Sequence, residues 1–255
     1  MSTTIAPLEV RGIRQRFGRK RVLRRVDLRV DGGELVGLVG ANGSGKTTLF
    51  SIITGLLPAD SGSSFFAGQS IESMDLGQRA RLAYVAHRPQ VYLGLSAREN
   101  LDLFADLRAT VGAKTAEAGV ILERFGLAEV ADRLVSTFSR GMAQRLSLAR
   151  ALASSPDILI LDEPFTALDR QGRELLAEIL GAERARGSAI FIASHDHDML
   201  VQVADRILHL ENGVIAGEAQ RDPADQDGSV FRRATAALWS GASSPKSTPE
   251  VRAQA

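Results

Sequence analysis

The chain has 255 residues, 44% hydrophobic and only 5% aromatic, which suits an α/β protein with an aliphatic core. A net charge of +1 supplies no field that would gather nucleic acid, and the absence of cysteine excludes disulfides, thiolate metal sites and cysteine nucleophiles. The opening MSTTIAPLEVRG lacks the apolar stretch of a signal peptide, and no run reaches the ~20 apolar residues of a bilayer span, so any work at a membrane is expected to go through partners.

Residues 8–30 alternate in strand fashion, LEVRGIRQRF and then RVLRRVDLRV. Eight basic residues fall between Arg11 and Arg25 without an acid among them, and they read as the solvated face of an antiparallel sheet. ELVGLVG (Glu34–Gly40) is a short apolar strand entering a Gly-rich turn. Thr47–Leu57 reads as a helix stopped by Gly55 and Pro58. PADSGSSFFAGQ follows as turn and strand, and RLAYVA (Arg81–Ala86) as another strand. The pattern from Ser96 to Ala153 is helical, with Met142, Leu146, Ala149 and Ala153 spaced to form one core-facing side. Asp157–Leu161 and Ala189–Ala193 are continuous apolar runs of the kind buried in parallel sheets. Ala204–Ala219 reads as a hairpin turning at Asn212-Gly213. Past Gln220 the signal decays. A short helix is expected over Phe231–Trp239, and the polar, Pro/Ser-rich Ala242–Ala255 reads as disordered. The whole suggests an α/β core carrying an inserted helical block near 90–154.

The chemistry begins at GANGSGKT: Gly40, Ala41, Asn42, Gly43, Ser44, Gly45, Lys46 and Thr47. This fits the phosphate-binding loop G-x-x-x-x-G-K-[ST], and it lies between a strand and a helix, the context that motif requires. Backbone N–H groups and a helix N-terminus suit phosphate oxygens. Lys46 is expected to reach the terminal phosphates, Thr47 to ligate Mg²⁺, and Thr48 to touch phosphate. ILILDEP (Ile158–Pro164) then delivers two carboxylates at a strand end: Asp162 to hold Mg²⁺ through water, Glu163 to polarise the attacking water. In FIASHDHD, His195 is the candidate contact to a γ-phosphate, with His197 its rival. His209, inside ILHL, reads as structural.

The order of these motifs, with FSRGMAQR between the P-loop and ILILDEPF, then ALD, then a strand ending in SHD, resembles the ATP-binding subunit of ABC transporters over roughly residues 8–220. The resemblance implies one ATP-binding domain over 6–220: a P-loop NTPase (RecA-like) core, an antiparallel β-subdomain and an inserted α-helical subdomain at about 90–154. The decaying signal and composition past Gln220 make 221–255 a largely disordered tail. The resemblance implies a head-to-tail homodimer that sandwiches ATP and Mg²⁺, acting on transmembrane permease subunits from the cytoplasmic side of the plasma membrane. Phe138, Ser139, Arg140, Gly141 and Met142 stand at the signature loop that caps the partner's ATP, with Arg140 and Met142 departing from the usual Gly and Gln. Asp169 stands at the loop that bridges the two sites, and His195 at the switch histidine. Phe17 either stacks on adenine or fills the core. His87 occupies the position of the glutamine that senses Mg²⁺, with Gln90 three residues on. YVAHRPQ, LSAREN, FSRGM and DEPFTALD resemble the haem-exporter ATPase of cytochrome c maturation; FSRGM-x-QR also resembles ATPases of drug, lipid and polysaccharide exporters. Soluble members acting on DNA or ribosomes carry long insertions or two ATPase domains, whereas 116 positions separate Lys46 from Asp162 here.

Overall fold

A computed structural model describes residues 5–225 and 228–239. In chain order the elements are β1 (Leu8–Phe17), β2 (Lys20–Val30), β3 (Leu35–Val39), α1 (Lys46–Ile53), β4 (Ser61–Phe66), β5 (Gln69–Ser70), α2 (Leu76–Arg79) and β6 (Leu82–Val85). Then come α3 (Ala97–Ala109), α4 (Ala118–Arg124), α5 (Arg140–Leu152), β7 (Ile158–Asp162), α6 (Arg170–Arg186), β8 (Ala189–Ala193), α7 (His197–Val203), β9 (Arg206–Glu211), β10 (Val214–Gln220) and α8 (Ser229–Trp239).

The strands run in the order β5-β4-β1-β2-β10-β9-β3-β8-β7-β6. β9, β3, β8, β7 and β6 pair parallel, whereas β1, β2, β4 and β5 pair antiparallel. The two parts meet at a single parallel bridge, Val214 to Arg25. The basic residues of β1 and β2 lie on the exposed side, and Arg11 and Arg25 bond to Glu9 and Asp27 two residues away.

β3, β7 and β8 are buried at every position, and apolar throughout except for Asp162 at the end of β7, because both of their faces are covered. Their two-residue period sorts one sequence into two cores. Ile158 and Ile160 join Phe191, Leu38 and the α1 residues Leu49, Phe50, Ile52 and Ile53. Leu159 and Leu161 turn the other way, to Ile190, Ile192, Leu146, Leu148, Leu176 and Leu180. α1 thus lies between the parallel strands and the antiparallel ones. In the middle of β3, Gly37 leaves room for a neighbour: a Cβ there would stand 3.1 Å from Ile207 Cγ1 and 3.3 Å from Leu200 Cδ2 of α7.

Several boundaries differ from the sequence reading. α1 stops at Ile53 rather than Leu57, because Gly55 turns the chain at φ 71° and the N–H groups of Leu56 and Leu57 both bond to the Ser51 carbonyl. The helical block is three helices: Ser96 caps α3 in a reciprocal box with Glu99, and Ser139 caps α5. β7 runs one residue further than expected, so Asp162 is its last paired residue, opposite Ala193. The β9–β10 hairpin turns at Asn212-Gly213 as anticipated, with φ 49° and 77°, the twist such turns need. The short helix expected over Phe231–Trp239 is present and begins two residues earlier. Ser229–Trp239 is a helix whose Phe231, Thr235 and Leu238 are buried against the sheet, and Leu238 fills the space left by Gly217. The stretch from Ala242 onward lies outside the described residues.

Phe50 and Phe191 are fully buried and meet edge to face at 5.0 Å between α1 and the sheet. Phe50→Ala is expected to cost about 3–5 kcal/mol of folding free energy. Chemical denaturation checks this; a loss under about 1 kcal/mol would show that α1 is not seated on Phe191 as described.

Candidate active site

β3, β6, β7 and β8 end at the same edge of the sheet, and each delivers a polar group there. Gly40 follows β3 at φ 156°, and a Cβ at that position would stand 2.3 Å from the Leu210 carbonyl oxygen. The turn is closed by Ser44 N–H donating to the Ala41 carbonyl at 3.1 Å. Gly43 and Gly45 are also left-handed, at φ 77° and 110°. α1 starts at Lys46 with no side chain capping its N-terminus. Its first N–H groups therefore face the loop, where an anion would satisfy them. Lys46 Nζ lies across the loop, donating to the Gly40 carbonyl at 2.7 Å and the Ala41 carbonyl at 3.3 Å. Ser44 Oγ is buried without a hydrogen-bond partner, and Thr48 is partly buried one residue beyond Thr47. A cradle that excludes Cβ atoms, an uncapped helix and an orphaned hydroxyl fit a polyphosphate. Ala41 and Asn42 form the exposed rim.

Thr47 Oγ1 donates to Asp162 Oδ2 at 2.8 Å, joining the loop helix to the end of β7. Asp162 is only 2% exposed. Burial pushes its carboxyl above the ordinary aspartate value, the Thr47 hydrogen bond opposes that shift, and the negative charge of Glu163 adds to it. A hydroxyl and a carboxylate in contact at the mouth of a phosphate loop fit a magnesium site of the sparse kind, completed by phosphate and water. Among the described residues no group of three or more His, Cys, Asp or Glu could form an all-protein metal cage.

Glu163 is bent out of the strand. Its φ is 56°, a left-handed conformation costly for a residue with a Cβ, and its N–H donates to the Ala193 carbonyl at 2.8 Å. The strained backbone turns the carboxylate toward the end of β8. There Glu163 Oε2 accepts from the His195 N–H at 3.2 Å and lies 2.8 Å from His195 Nδ1. With Glu163 ionised, the proton between them sits on Nδ1. Glu163 is 12% exposed and His195 is 73% exposed, so the ring reaches outward from a sheltered acid. The sequence left His195 and His197 as rivals. His195 is the one on Glu163; His197 packs instead against Thr235 and Trp239 of α8.

The remaining candidates divide. Phe17 is 51% exposed at the end of β1, so it does not fill the core and is free to stack. His87 is exposed just past β6, close enough that its charge acts on Asp162. The Gln90 side chain is taken up by Arg150 Nη2 at 3.3 Å, which leaves His87 as the group beside the carboxylate. Asp169 caps α6 by accepting from Gly172 N–H at 2.8 Å. Ser139 and Arg140 are exposed, whereas Phe138 and Met142 pack onto the core, a job the sequence pattern had given Met142 alone. Gly141 is required by contact, since a Cβ would stand 2.8 Å from the Ala167 carbonyl. Among the described residues no hydrogen bond or ion pair joins 138–142 to 40–48.

Two supports were missed. Arg173 of α6 binds Asp196 at 3.0 Å, beside His195, and Gln144 of α5 donates to the Pro164 carbonyl at 3.4 Å. Asp196 was findable as a helix-capping residue in SHDHD; the two long-range contacts leave no local mark.

Phosphate loop, buried carboxylate and a glutamate–histidine pair on a parallel sheet define a P-loop nucleotide hydrolase. The family model described as "ABC transporter" matches residues 23–166. The chain is 37% identical over 211 residues to the Nod factor export ATP-binding protein I of Burkholderia lata, covering 82% of this chain and 69% of that protein. It is 38% identical over 216 residues to the sulfate/thiosulfate import ATP-binding protein CysA of Bordetella parapertussis, covering 82% of this chain and 60% of that one. A solved ATP-binding subunit of an ABC transporter superposes with a TM-score of 0.81 at 26% identity, covering 94% of this chain and all of the other. The chain belongs to the ABC transporter ATP-binding family, whose ATP hydrolysis is coupled to transport. Among the described residues no helix is long and apolar enough to cross a membrane.

The raised carboxyl of Asp162 has a consequence for stability. Below the ordinary aspartate range, folded and unfolded chains both hold the proton and nothing is lost. As pH rises through that range the unfolded chain releases its proton first, so stability falls until the folded value is passed. Asp162→Asn keeps an acceptor for Thr47 and removes the charge. It is expected to melt a few degrees above the parent at about pH 7, with the gain shrinking toward about pH 3. Equal melting temperatures across that range, read by circular dichroism, would contradict a desolvated carboxylate.

Proposed function

We propose that the chain is the ATP-hydrolysing subunit of an ABC exporter, working as a homodimer on separate membrane subunits from the cytoplasmic side of the plasma membrane. The observation that carries the catalytic part is Glu163, sheltered, bent toward His195 and adjacent in sequence to the buried Asp162. Water attacks the γ-phosphorus, its proton passes to the Glu163 carboxylate, and the bond from that phosphorus to the bridging oxygen breaks, releasing ADP and phosphate. His195 keeps Glu163 oriented through Nδ1–H, and the form of the ring that also carries a proton on Nε2 donates outward to the phosphate. Lys46, Ser44 and the N–H groups around Gly43 hold the phosphates, and Phe17 stacks on the base. Thr47 and Asp162 would hold a magnesium ion, with His87 beside them, and that ion supplies positive charge where negative charge builds up.

The dimer follows from Ser139. Its Oγ accepts from Met142 N–H at 3.2 Å, so its own hydrogen is left to donate outward from an exposed helix start. Nothing in its own chain's phosphate loop bonds to this cap, which suits a nucleotide held by a second copy. Asp169, exposed at the start of α6, is the residue we assign to bridging the two sites. Residues 6–220 act as the ATP-binding domain, with 90–154 its helical part.

Export is favoured by the Nod factor relative and by the FSRGM likeness to exporter ATPases. Haem is one candidate cargo, resting on the four motif likenesses alone. The similarity to CysA favours import as the second reading. Affinity capture of the membrane subunits with the full chain separates these readings.

Glu163→Gln is expected to bind ATP, to dimerise with it, and to hydrolyse it about a hundredfold or more slowly. Parental turnover in a phosphate-release assay would sink the general-base role. Ser139→Ala should lower turnover by about tenfold while the isolated chain binds ATP as before. A matching loss of ATP affinity would mean that Ser139 serves its own chain's nucleotide.

A further inference from the structure

α7 begins two residues after His195, and its first turn is held from outside the site. Asp196 caps it, accepting from Met199 N–H at 3.1 Å. The next two side chains both reach the C-terminal helix α8. His197 Nε2 lies 3.0 Å from Thr235 Oγ1, and its ring meets the Trp239 ring edge to face at 4.6 Å. Asp198 accepts from Arg232 Nη1 at 2.8 Å. Thr235 Oγ1 is fully buried and gives its own proton to the Arg232 carbonyl at 3.0 Å, so it receives the proton on His197 Nε2.

α8 is itself well founded. Asp225 accepts from Val230 and Phe231 N–H at 3.2 and 2.8 Å, Arg221 lies over the Phe231 ring at 4.7 Å, and Leu238 sits in the gap at Gly217. The first turn of α7 is therefore clamped between Arg173 on one side and α8 on the other. That turn is continuous with the backbone N–H of His195, which bonds to Glu163.

We propose that His197 is a positioning residue for ATP hydrolysis: held by Thr235 and Trp239, it fixes the start of α7 and so keeps His195 on Glu163. α8 thereby becomes a working part of the catalytic unit. This inference rests on the hydrolytic reading of Glu163, although the contact itself can be measured without turnover.

The full chain is tested as His197→Ala, His197→Gln and Trp239→Ala. His197→Ala and Trp239→Ala should lower kcat by about tenfold and leave KM for ATP within about twofold, since displacing a catalytic group by a fraction of an ångström weakens chemistry more than binding. His197→Gln keeps an N–H for Thr235 and should recover most of the rate. In nucleotide-free protein the ¹⁵N resonances of the His195 ring should move in the alanine variants and return in His197→Gln. An unmoved His195 signal or a parental kcat in His197→Ala overturns the proposal. So does a rate that falls only in step with folded protein, measured by thermal melting, across all three variants. If Glu163→Gln retains turnover while the His195 signal still answers to His197, the hydrolytic reading fails and the clamp stands.

Discussion

Three central parallel strands buried on both faces leave a chain few places to put a charge. Along β3, β7 and β8 every residue is buried. Polar chemistry is admitted only where those strands run out, at one edge. Gly40, His87, Asp162 and His195 all stand there, Asp162 on the last residue of its strand and the others one or two residues past theirs. The one ionisable residue within β3, β7 and β8, Asp162, sits on the last paired rung and is tied to Thr47 at the head of α1. That bond joins the phosphate-binding half of the site to the hydrolytic half. Its cost is a carboxylate held where water is scarce, which a protein selected only for stability would not keep.

Much of this was legible because it is periodic or local. The two-residue alternation that sends Ile158 one way and Leu159 the other requires only the sequence and the knowledge that the strand is buried. The phosphate loop was legible because its glycines answer a geometric demand that other residues meet badly. What escaped detection was tertiary. Nothing around Phe17 distinguishes a stacking ring from a core ring; burial does. Nothing around Gln90 announces that Arg150 will engage both its backbone and side-chain oxygens while lying over Phe104 at 4.0 Å. Helix ends moved for the same reason, since α1 is stopped by bonds to Ser51 as well as by the glycine. The short helix of the tail was expected, but nothing local shows that Phe231, Thr235 and Leu238 seat it or that Thr235 and Trp239 meet His197.

The signature helix α5 touches the site in two different senses. Through Gly141 and Gln144 it packs on the segment after Glu163, within its own chain. Through Ser139 and Arg140 it faces outward. Arg150, at its other end, reaches the loop that carries His87, and burial brings the guanidinium value down to about 10 without removing its charge at neutral pH. One rigid rod thus links the loop beside Asp162, the segment carrying Glu163 and a surface suited to a second copy. A movement at any of the three is felt at the others with little loss, because a helix of thirteen residues bends less than the loops it joins.

Gly37 stands in the middle of β3, three residues before the phosphate loop. With no side chain there, Ile207 and Leu200 close in on the strand. Leu200 belongs to α7, so the height at which the histidine-bearing helix rides above the sheet is set by a missing methyl group. A related chain with alanine in that position must carry its helix a few tenths of an ångström higher, and its histidine with it. Reaction geometry in such chains would then be graded by a residue that touches neither nucleotide nor partner. It would act as a shim beneath the machinery, invisible to any comparison confined to the motifs.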